Sequence, residues 1–447
     1  MGVEELNFIK QKEKIINVLN KASKTNYYKQ LFEQYAPNFN KLDSYSDFMK
    51  IPILTKELYE QNKFDMIDSC YDIDKEYYCD LRCDFNEKKR YLWDKGLYVK
   101  VTSGSTGRPI EIFKTQKAIN REYMGLNLYR KRINLHLPNG NFIWIWPVNS
   151  YTKKYFYDTT EQFYRVNSFG WQYIIDEYSE ETFEMVYKFI KSHEISWITA
   201  SPSFLYNFAH YIEKREYELM FSYIECHSEM LYSWQSEYIE YIFNSKPLSV
   251  YSSNEIQFMA MQCKCGNMHV INNNVFIEIL SNGNNADFGK VVATSLCSTE
   301  LPFIRYELGD IGAWVTKSCN CGLETPVIRL SGFRENDMLI CKNGVRFEPF
   351  VITDAILFLQ TRFSLKIKMY FVYQYDYDVI YMYFQDDVYF KIYGNNEIKL
   401  FLSSYFKDVT KQDFKIVIFR YSEMGKLVGT KKYKYFMVGD KIETKHN

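Results

Sequence analysis

Neither sign of charge is in excess in this 447-residue chain: Lys plus Arg and Asp plus Glu number 55 each. That balance leaves no long-range field to gather nucleic acid or an anionic membrane, so binding has to be local. Long apolar runs are missing as well. No stretch approaches the length that spans a bilayer, and "MGVEELNFIKQKEKI" has no apolar core of the signal-peptide kind. Gly2 lacks the Ser or Thr at position 6 that myristoylation requires. The expectation is a cytoplasmic protein with no nucleic-acid or membrane partner. Internal repeats and low-complexity linkers are not seen either, so domain borders rest on changes of pattern alone.

At 447 residues the chain is too long for one core and predicts two or three domains. A hydrophobic share of 47% against 25% charged residues belongs to a globular protein. Ten cysteines without an export signal argue against a disulfide framework and direct attention to metal or catalysis.

Apolar spacing predicts one or two amphipathic helices over "FIKQKEKIINVLNKASKTNYYKQLFEQYA". An extended piece from Ile51 to Leu54 follows, with Thr55 as N-cap of the next helix. The charged stretch "CDFNEKKRYLWDKG" is expected to be exposed loop or edge. From 95 to 335 short apolar runs alternate with helical patterns, as in "NFIWIWPV", "SEETFEMVYKFIKSH" and "EISWITA", which implies an α/β domain. "HVINNNVFIEILSNG" and "GKVVATSL" have the look of antiparallel strands. After about residue 337 the pattern restarts as a small α+β unit, with a helix near 396 to 406.

"VTSGSTGRPIEIFKT" gathers hydroxyls and glycines into Thr102, Ser103, Gly104, Ser105, Thr106 and Gly107. Such a run suits a polyphosphate, because glycine lets main-chain N–H groups approach an anion closely. It suits an ordinary polar hairpin equally. It is not a Walker A loop: Arg108-Pro109 follows Gly107 where Lys-Ser/Thr would be needed.

Later segments, taken in order with this loop, carry a family resemblance. Thr102 to Gly107 resembles the phosphate loop of the acyl-adenylate-forming ligases, and "SVYSSNEI" their Tyr-Gly-x-Thr-Glu element. "LPFIRYELGDIG" is similar to their Tyr-Arg-Thr-Gly-Asp element and "GFREND" to their Gly-Arg-x-x-Asp hinge. "IPILTKELYEQN" and paired Cys-Gly segments resemble the phenylacetate-CoA ligase branch, which includes CapK-type capsular-polysaccharide proteins. Four elements in order, covering about residue 15 to the end, make this a specific likeness.

The resemblance implies a large multi-subdomain N-terminal adenylation domain over 1–337 and a small mobile α+β C-terminal domain over 338–447. It implies that a small carboxylic acid attacks ATP to give acyl-AMP and pyrophosphate, and that the acyl group then passes to CoA. A carrier-protein thiol, an amine or a sugar are alternative acceptors, and a noncatalytic nucleotide-binding relative is the rival outside enzymes. Homodimer formation is left open. Thr102, Ser103, Ser105 and Thr106 would bind the β- and γ-phosphates, with Gly104 and Gly107 allowing the approach and Arg108 assisting. Glu255 would ligate Mg²⁺, a hard cation suited to a carboxylate and phosphate oxygens, and Tyr251 would stack near adenine. Asp310 would accept from both ribose hydroxyls. Arg334 matches the hinge arginine and Asp337 the terminal hinge aspartate. Ser252 stands for the usual Gly, Asn254 for Thr and Asn336 for the pivotal Asp, and Phe333 is an extra residue before Arg334. The lysine that reaches the α-phosphate corresponds to Lys426 in "MGKL" or to Lys432 in "KKYKYF".

"CKCGNMH" offers Cys263, Cys265 and His269, and "CNCG" offers Cys319 and Cys321, five soft ligands for four tetrahedral positions. The phenylacetate-CoA ligase resemblance favours Zn²⁺ on Cys263, His269, Cys319 and Cys321, with Cys265 spare. Four protein ligands leave no position for water, so the role would be structural, pinning a β-rich subregion beside the nucleotide site. Ser228-Glu229 after His227 resembles the family's Gly-Glu turn rather than a hydrolase element.

Overall fold

The computed structural model describes residues 2–80, 85–101, 110–134, 140–147, 156–157, 170–175, 179–281, 288–334, 338–347, 350–367, 370–423 and 436–439. The chain divides into two compact units, Met1–Leu330 and Ser331–Asn447.

The first unit is built on a sheet of twelve strands among the described residues. Its order is Val275–Ser281, Gly289–Ser295, Tyr306–Val315, Val327–Arg334, Met268–Val270, Ala260–Gln262, Pro247–Tyr251, Tyr223–Cys226, Ile195–Ala200, Asn141–Pro147, Gly170–Ile175 and Phe156–Tyr157. From Pro247–Tyr251 through Gly170–Ile175 the pairs are parallel. Parallel strands need crossovers; the helices that supply them pack on one face, and Gln116–Asn134, which enters from a separate hairpin, covers the other. Ile143 and Ile145 bury against Phe183 and Phe204 of the helices Glu180–Ser192 and Pro202–Lys214, while Phe142 turns to Leu126 and Tyr129 of Gln116–Asn134. That two-sided burial is why "NFIWIW" is apolar without alternation.

On the other side of Pro247–Tyr251 the sheet is antiparallel, with Val275–Ser281 matched to Gly289–Ser295 from Val275↔Ser295 to Ser281↔Gly289. Helix Val3–Ala22 lays Phe8, Ile15 and Leu19 into the same core as Phe276 and Val291. The opening periodicity resolves into two helices, Val3–Ala22 and Asn26–Tyr35. Thr55 caps Lys56–Asn62 by accepting from the Leu58 N–H.

The stretch expected to be loop or edge is instead a helix, Phe85–Asp94. Its inward positions are Lys88, Tyr91 and Leu92, spaced i, i+3, i+4. Among the helix's described side chains only Leu92 is a fully buried apolar residue, packed with Leu97 and Phe113, whereas Lys88 sets its ammonium 2.9 Å from Glu111 and 4.7 Å from the Tyr78 ring centroid. A lysine at an inward position, its ammonium held by a carboxylate and an aromatic ring, hid the helical period.

The second unit has its own core. Strands Lys415–Arg420, Val379–Phe384, Tyr370–Asp376 and Phe436–Val438 form a sheet in that order. Helices Phe350–Arg362, Asp386–Tyr393 and Asn396–Thr410 bury Leu359, Ile392 and Leu402 against Val372, Ile380 and Met382. Among the described residues no helix is long and apolar enough to cross a membrane.

Candidate functional site

Strand Pro247–Tyr251 ends where the parallel and antiparallel halves of the sheet meet, the kind of place where open α/β sheets leave a crevice. The chain then turns tightly. Phe258 N–H donates to Ser252 Oγ at 3.1 Å, Ile256 N–H to Ser253 Oγ at 3.0 Å and Met259 N–H to the Tyr251 carbonyl at 2.8 Å. This turn holds Glu255 at its tip. The Tyr306 hydroxyl donates to Glu255 Oε1 at 3.0 Å, and the Tyr251 hydroxyl donates to Asp310 Oδ2 at 2.7 Å. Burial, and then the Glu255 charge, raises the Tyr306 phenol, which therefore stays a donor. Gly309, just before Asp310, takes φ +75° in the left-handed region that a side chain disfavours.

The strand carrying Tyr306 and Asp310 is clamped from the N-terminal segment. Leu54 N–H donates to the Arg305 carbonyl and Glu307 N–H to the Leu54 carbonyl, each at 3.0 Å. Arg305 is buried, with φ +51°, and its guanidinium meets both Glu278 oxygens at 3.1 and 3.0 Å. It also donates to the Met49 and Ile51 carbonyls at 2.6 and 2.5 Å. The extended Ile51–Leu54 piece thus fixes the strand on which the acidic group sits.

Strands Leu97–Val101 and Glu111–Thr115 pair antiparallel, ending on Val101↔Glu111, and Val101 is the residue from which the chain runs on to Thr102. Asn254 Nδ2 donates to the Val101 carbonyl at 3.1 Å. That bond ties the residue before Glu255 to the residue before Thr102. Thr102 to Gly107, Arg108, Asn336, Asp337, Lys426 and Lys432 lie outside the described residues, and of Arg334 only the backbone is described, closing Val327–Arg334. The structure thus brings together Glu255, Tyr251, Asp310 and the entry to the hydroxyl-rich segment.

Beneath this turn lies an ion pair the sequence reading missed. Lys114 and Glu122 are both fully buried, 2.5 and 2.8 Å apart through the two carboxylate oxygens. Glu122 Oε1 also accepts from the Gln257 N–H at 3.1 Å, two residues past Glu255. A buried charge survives only when paired and hydrogen-bonded, which this one is. The available signal was a lysine on the core-facing register of "EIFKT". Across the intervening strand Ile195–Ala200, Trp144 Nε1–H donates to His227 Nε2 at 2.9 Å, so His227 carries its proton on Nδ1, 2.9 Å from Ser228 Oγ. Ser228 takes φ +70°, which fits a position where the resembled family has glycine.

Cys263, His269, Cys319 and Cys321 also converge, with ligand atoms all within 4.8 Å of one another. Cys263 and Cys319 sulfurs are 3.6 Å apart and Cys321 Sγ is 3.2 Å from His269 Nε2. Sulfurs ~2.3 Å from a tetrahedral Zn²⁺ stand about 3.7 Å apart, so the donor set fits that ion. His269 Nδ1 lies 3.2 Å from the Thr325 carbonyl, which leaves Nε2 as the ligand atom. Burial opposes ionisation of Cys319, yet hydrogen bonds from Asn267 and His269 hold its thiol down at about 5; burial pushes Cys263 up to about 12. Cys265 is exposed and stands outside the cluster. The register sets this cluster apart from the Glu255 turn. Tyr251 pairs with Ala260 and Val250 with Met261, so Cys263 falls toward the Pro247 end of the strand.

No protein-family model and no curated protein matches the chain. Solved structures do. A 2-hydroxyisobutyryl-CoA ligase in the postadenylation state, in complex with R3-HIB-AMP, matches with TM-score 0.63 at 15% identity, over 97% of this chain and 90% of that one. The same ligase in an open conformation with 2-HIB-AMP and CoA gives 0.58 at 14%, over 96% and 90%. An acyl acid amido synthetase gives 0.55 at 12%, over 99% and 94%. The chain has the mixed α/β fold of adenylating enzymes with their C-terminal domain.

Proposed function

We propose that this chain is an ATP-dependent acid-activating ligase, and that the site around Glu255 and Asp310 binds the nucleotide. The observation that carries the reading is the Asn254–Val101 hydrogen bond, because it sets Glu255 beside the start of the hydroxyl-rich segment while Asp310 is held by Tyr251. In the first step a carboxylate oxygen of the acid attacks the α-phosphorus of ATP, the bond to the bridging oxygen breaks, and pyrophosphate leaves. Thr102, Ser103, Ser105 and Thr106 would hold the β- and γ-phosphates, and Glu255 would hold Mg²⁺, whose charge offsets that on the phosphates. Asp310 would accept from the ribose hydroxyls once Tyr251 turns from it to the adenine. In the second step a thiol, CoA on the present reading, attacks the acyl carbon and AMP departs.

The small 331–447 unit is the proposed lid, hinged near Arg334 and carrying Lys426 or Lys432 to the α-phosphate. Cys263, His269, Cys319 and Cys321 would hold a structural Zn²⁺. Acid specificity like that of phenylacetate-CoA ligase, and a place among CapK-type proteins, are the finer part of the proposal. An amine acceptor is the second reading, favoured by the full-length likeness to an acyl acid amido synthetase.

ATP–pyrophosphate exchange with aromatic, fatty, hydroxy and sugar-derived acids tests the first step. Exchange should appear with one class and fall at least roughly a hundredfold in Ser103→Ala/Thr106→Ala, the scale of losing preorganised donors. Supplying CoA or amines then identifies the acceptor. ATP binding without exchange for any acid would overturn the enzymatic reading.

A further inference from the structure

We propose that Glu122, held by Lys114, is a positioning residue of the nucleotide site: it fixes the backbone of the turn that presents Glu255, and so sets how tightly the site takes Mg²⁺ with ATP. The inference rests on the nucleotide reading of that turn and adds to it a residue from another element. Glu122 lies on helix Gln116–Asn134, Lys114 on strand Glu111–Thr115, and Glu255 in the turn that follows Pro247–Tyr251.

The turn needs holding. Phe258 takes φ +53°, in the left-handed region that a side chain disfavours, and such a conformation persists only where its surroundings over-determine it. Within the turn, Ser252 Oγ accepts from the Phe258 N–H at 3.1 Å. Other ties come from outside it. Glu122 Oε1 accepts from the Gln257 N–H at 3.1 Å, two residues past Glu255. Asn274 Nδ2 donates both to the Phe258 carbonyl at 3.1 Å and to the Glu122 carbonyl at 2.8 Å, which locks turn to helix a second time. The rings of Tyr123 and Phe258 meet edge-on with centroids 4.8 Å apart. Gly125 permits this approach, since a Cβ there would stand 1.8 Å from Asn274 Oδ1.

Packing alone does not call for charge at this place. Lys114 and Glu122 are both fully buried, and a buried ion pair is often no more stable than apolar residues of the same volume. What the ionised carboxylate adds is a stronger bond to the backbone N–H than a neutral acceptor makes. Lys114 meets both of its oxygens, at 2.5 and 2.8 Å, which stops the carboxylate from rotating off Gln257 and cancels its charge beneath the site. The Glu255 carboxylate is met separately by the Tyr306 hydroxyl at 3.0 Å, so its side chain and its backbone are fixed by different groups.

Two double variants separate the hydrogen bond from the ion pair. Lys114→Met/Glu122→Gln and Lys114→Met/Glu122→Leu both remove the charges, but only the first keeps an oxygen for the Gln257 N–H. Isothermal calorimetry of the full chain with ATP and Mg²⁺, beside pyrophosphate exchange with an acid that the wild type accepts, reads the result. The Leu variant should weaken Mg²⁺-dependent ATP binding, and raise the Mg²⁺ needed for half-maximal exchange, by roughly tenfold, the scale of one hydrogen bond, while KM for the acid stays put. The Gln variant should recover most of that loss. Tm of both should match or exceed that of the wild type, because neither leaves a buried charge unpaired. Equal Mg²⁺ dependence in the two variants overturns the positioning role. So does a Leu variant that loses acid and ATP binding together with Tm, which assigns Glu122 to folding alone. A wild type whose ATP binding ignores Mg²⁺ brings down the nucleotide reading itself, and that is seen before any variant is compared.

Discussion

Lys100 stands half-buried on the strand that leads to Thr102, paired with Ile112 and diagonal to Lys114. Burial first, and the charge of Lys114 second, lowers its ammonium from 10.5 to about 8, against the pull of Glu122. A base whose folded pKa is depressed makes the unfolded state bind more protons between the two values, so stability should rise with pH from about 8 to 10.5. Lys100→Met should remove that rise and stabilise the protein at pH 7 by on the order of 1 kcal/mol, a value kept small because the side chain is partly solvated. Urea denaturation of both proteins from pH 7 to 10.5 checks it; a rise of equal size in the variant would place the effect elsewhere. Beyond the core-facing register of Lys114 in "EIFKT", none of this was visible in the sequence. Lys100, Lys114 and Glu122 are brought together by a hairpin and a helix, and nothing in their spacing announces a buried charge cluster.

At the scale of elements, local signals were legible wherever one physical cause dominated. Thr55 before a helical run gave a true cap, and "NFIWIW" a strand buried on both faces. Helix Phe85–Asp94 was not legible, because a lysine occupies an inward position with its ammonium over the Tyr78 ring. The Cys-Gly turns show the same divide. Spacing offered five ligands and the family resemblance suggested which four to choose, but only the pairing of Ala260–Gln262 with both Pro247–Tyr251 and Met268–Val270 tells which end of the sheet they occupy. If they hold Zn²⁺, elemental analysis should find about one zinc per chain. Because ligands join two separate turns, Cys319→Ser or prolonged chelation should lower Tm by roughly 10 °C, as expected for losing a few kcal/mol in a domain of this size. Cys265→Ser should leave Tm and metal content unchanged. Metal-free protein of undiminished Tm would remove zinc from the account.

At the scale of the whole molecule, the chain divides into Met1–Leu330 and Ser331–Asn447, each with its own hydrophobic core, and under the proposed function such a division suits two successive half-reactions. A lysine that offsets charge on the α-phosphate is wanted while acyl-AMP forms, yet it stands in the way of the acceptor afterwards, so it has to arrive and withdraw on a movable body. The strand Val327–Arg334 carries the chain across the division, and Arg334 is its last residue. One lysine of the second unit should therefore matter to one step only. Lys426→Ala or Lys432→Ala, whichever removes the working group, should slow pyrophosphate exchange by roughly a hundredfold or more, the cost of losing a preorganised charge-stabilising donor. Given synthetic acyl-AMP, the same variant should pass the acyl group to its acceptor at a near-normal rate, since that step does not use the lysine. Two variants that both exchange normally, beside an active wild type, would leave the second unit without this role. A variant that loses both steps equally would instead assign the lysine to folding or to nucleotide binding, and a Tm measured alongside separates those two.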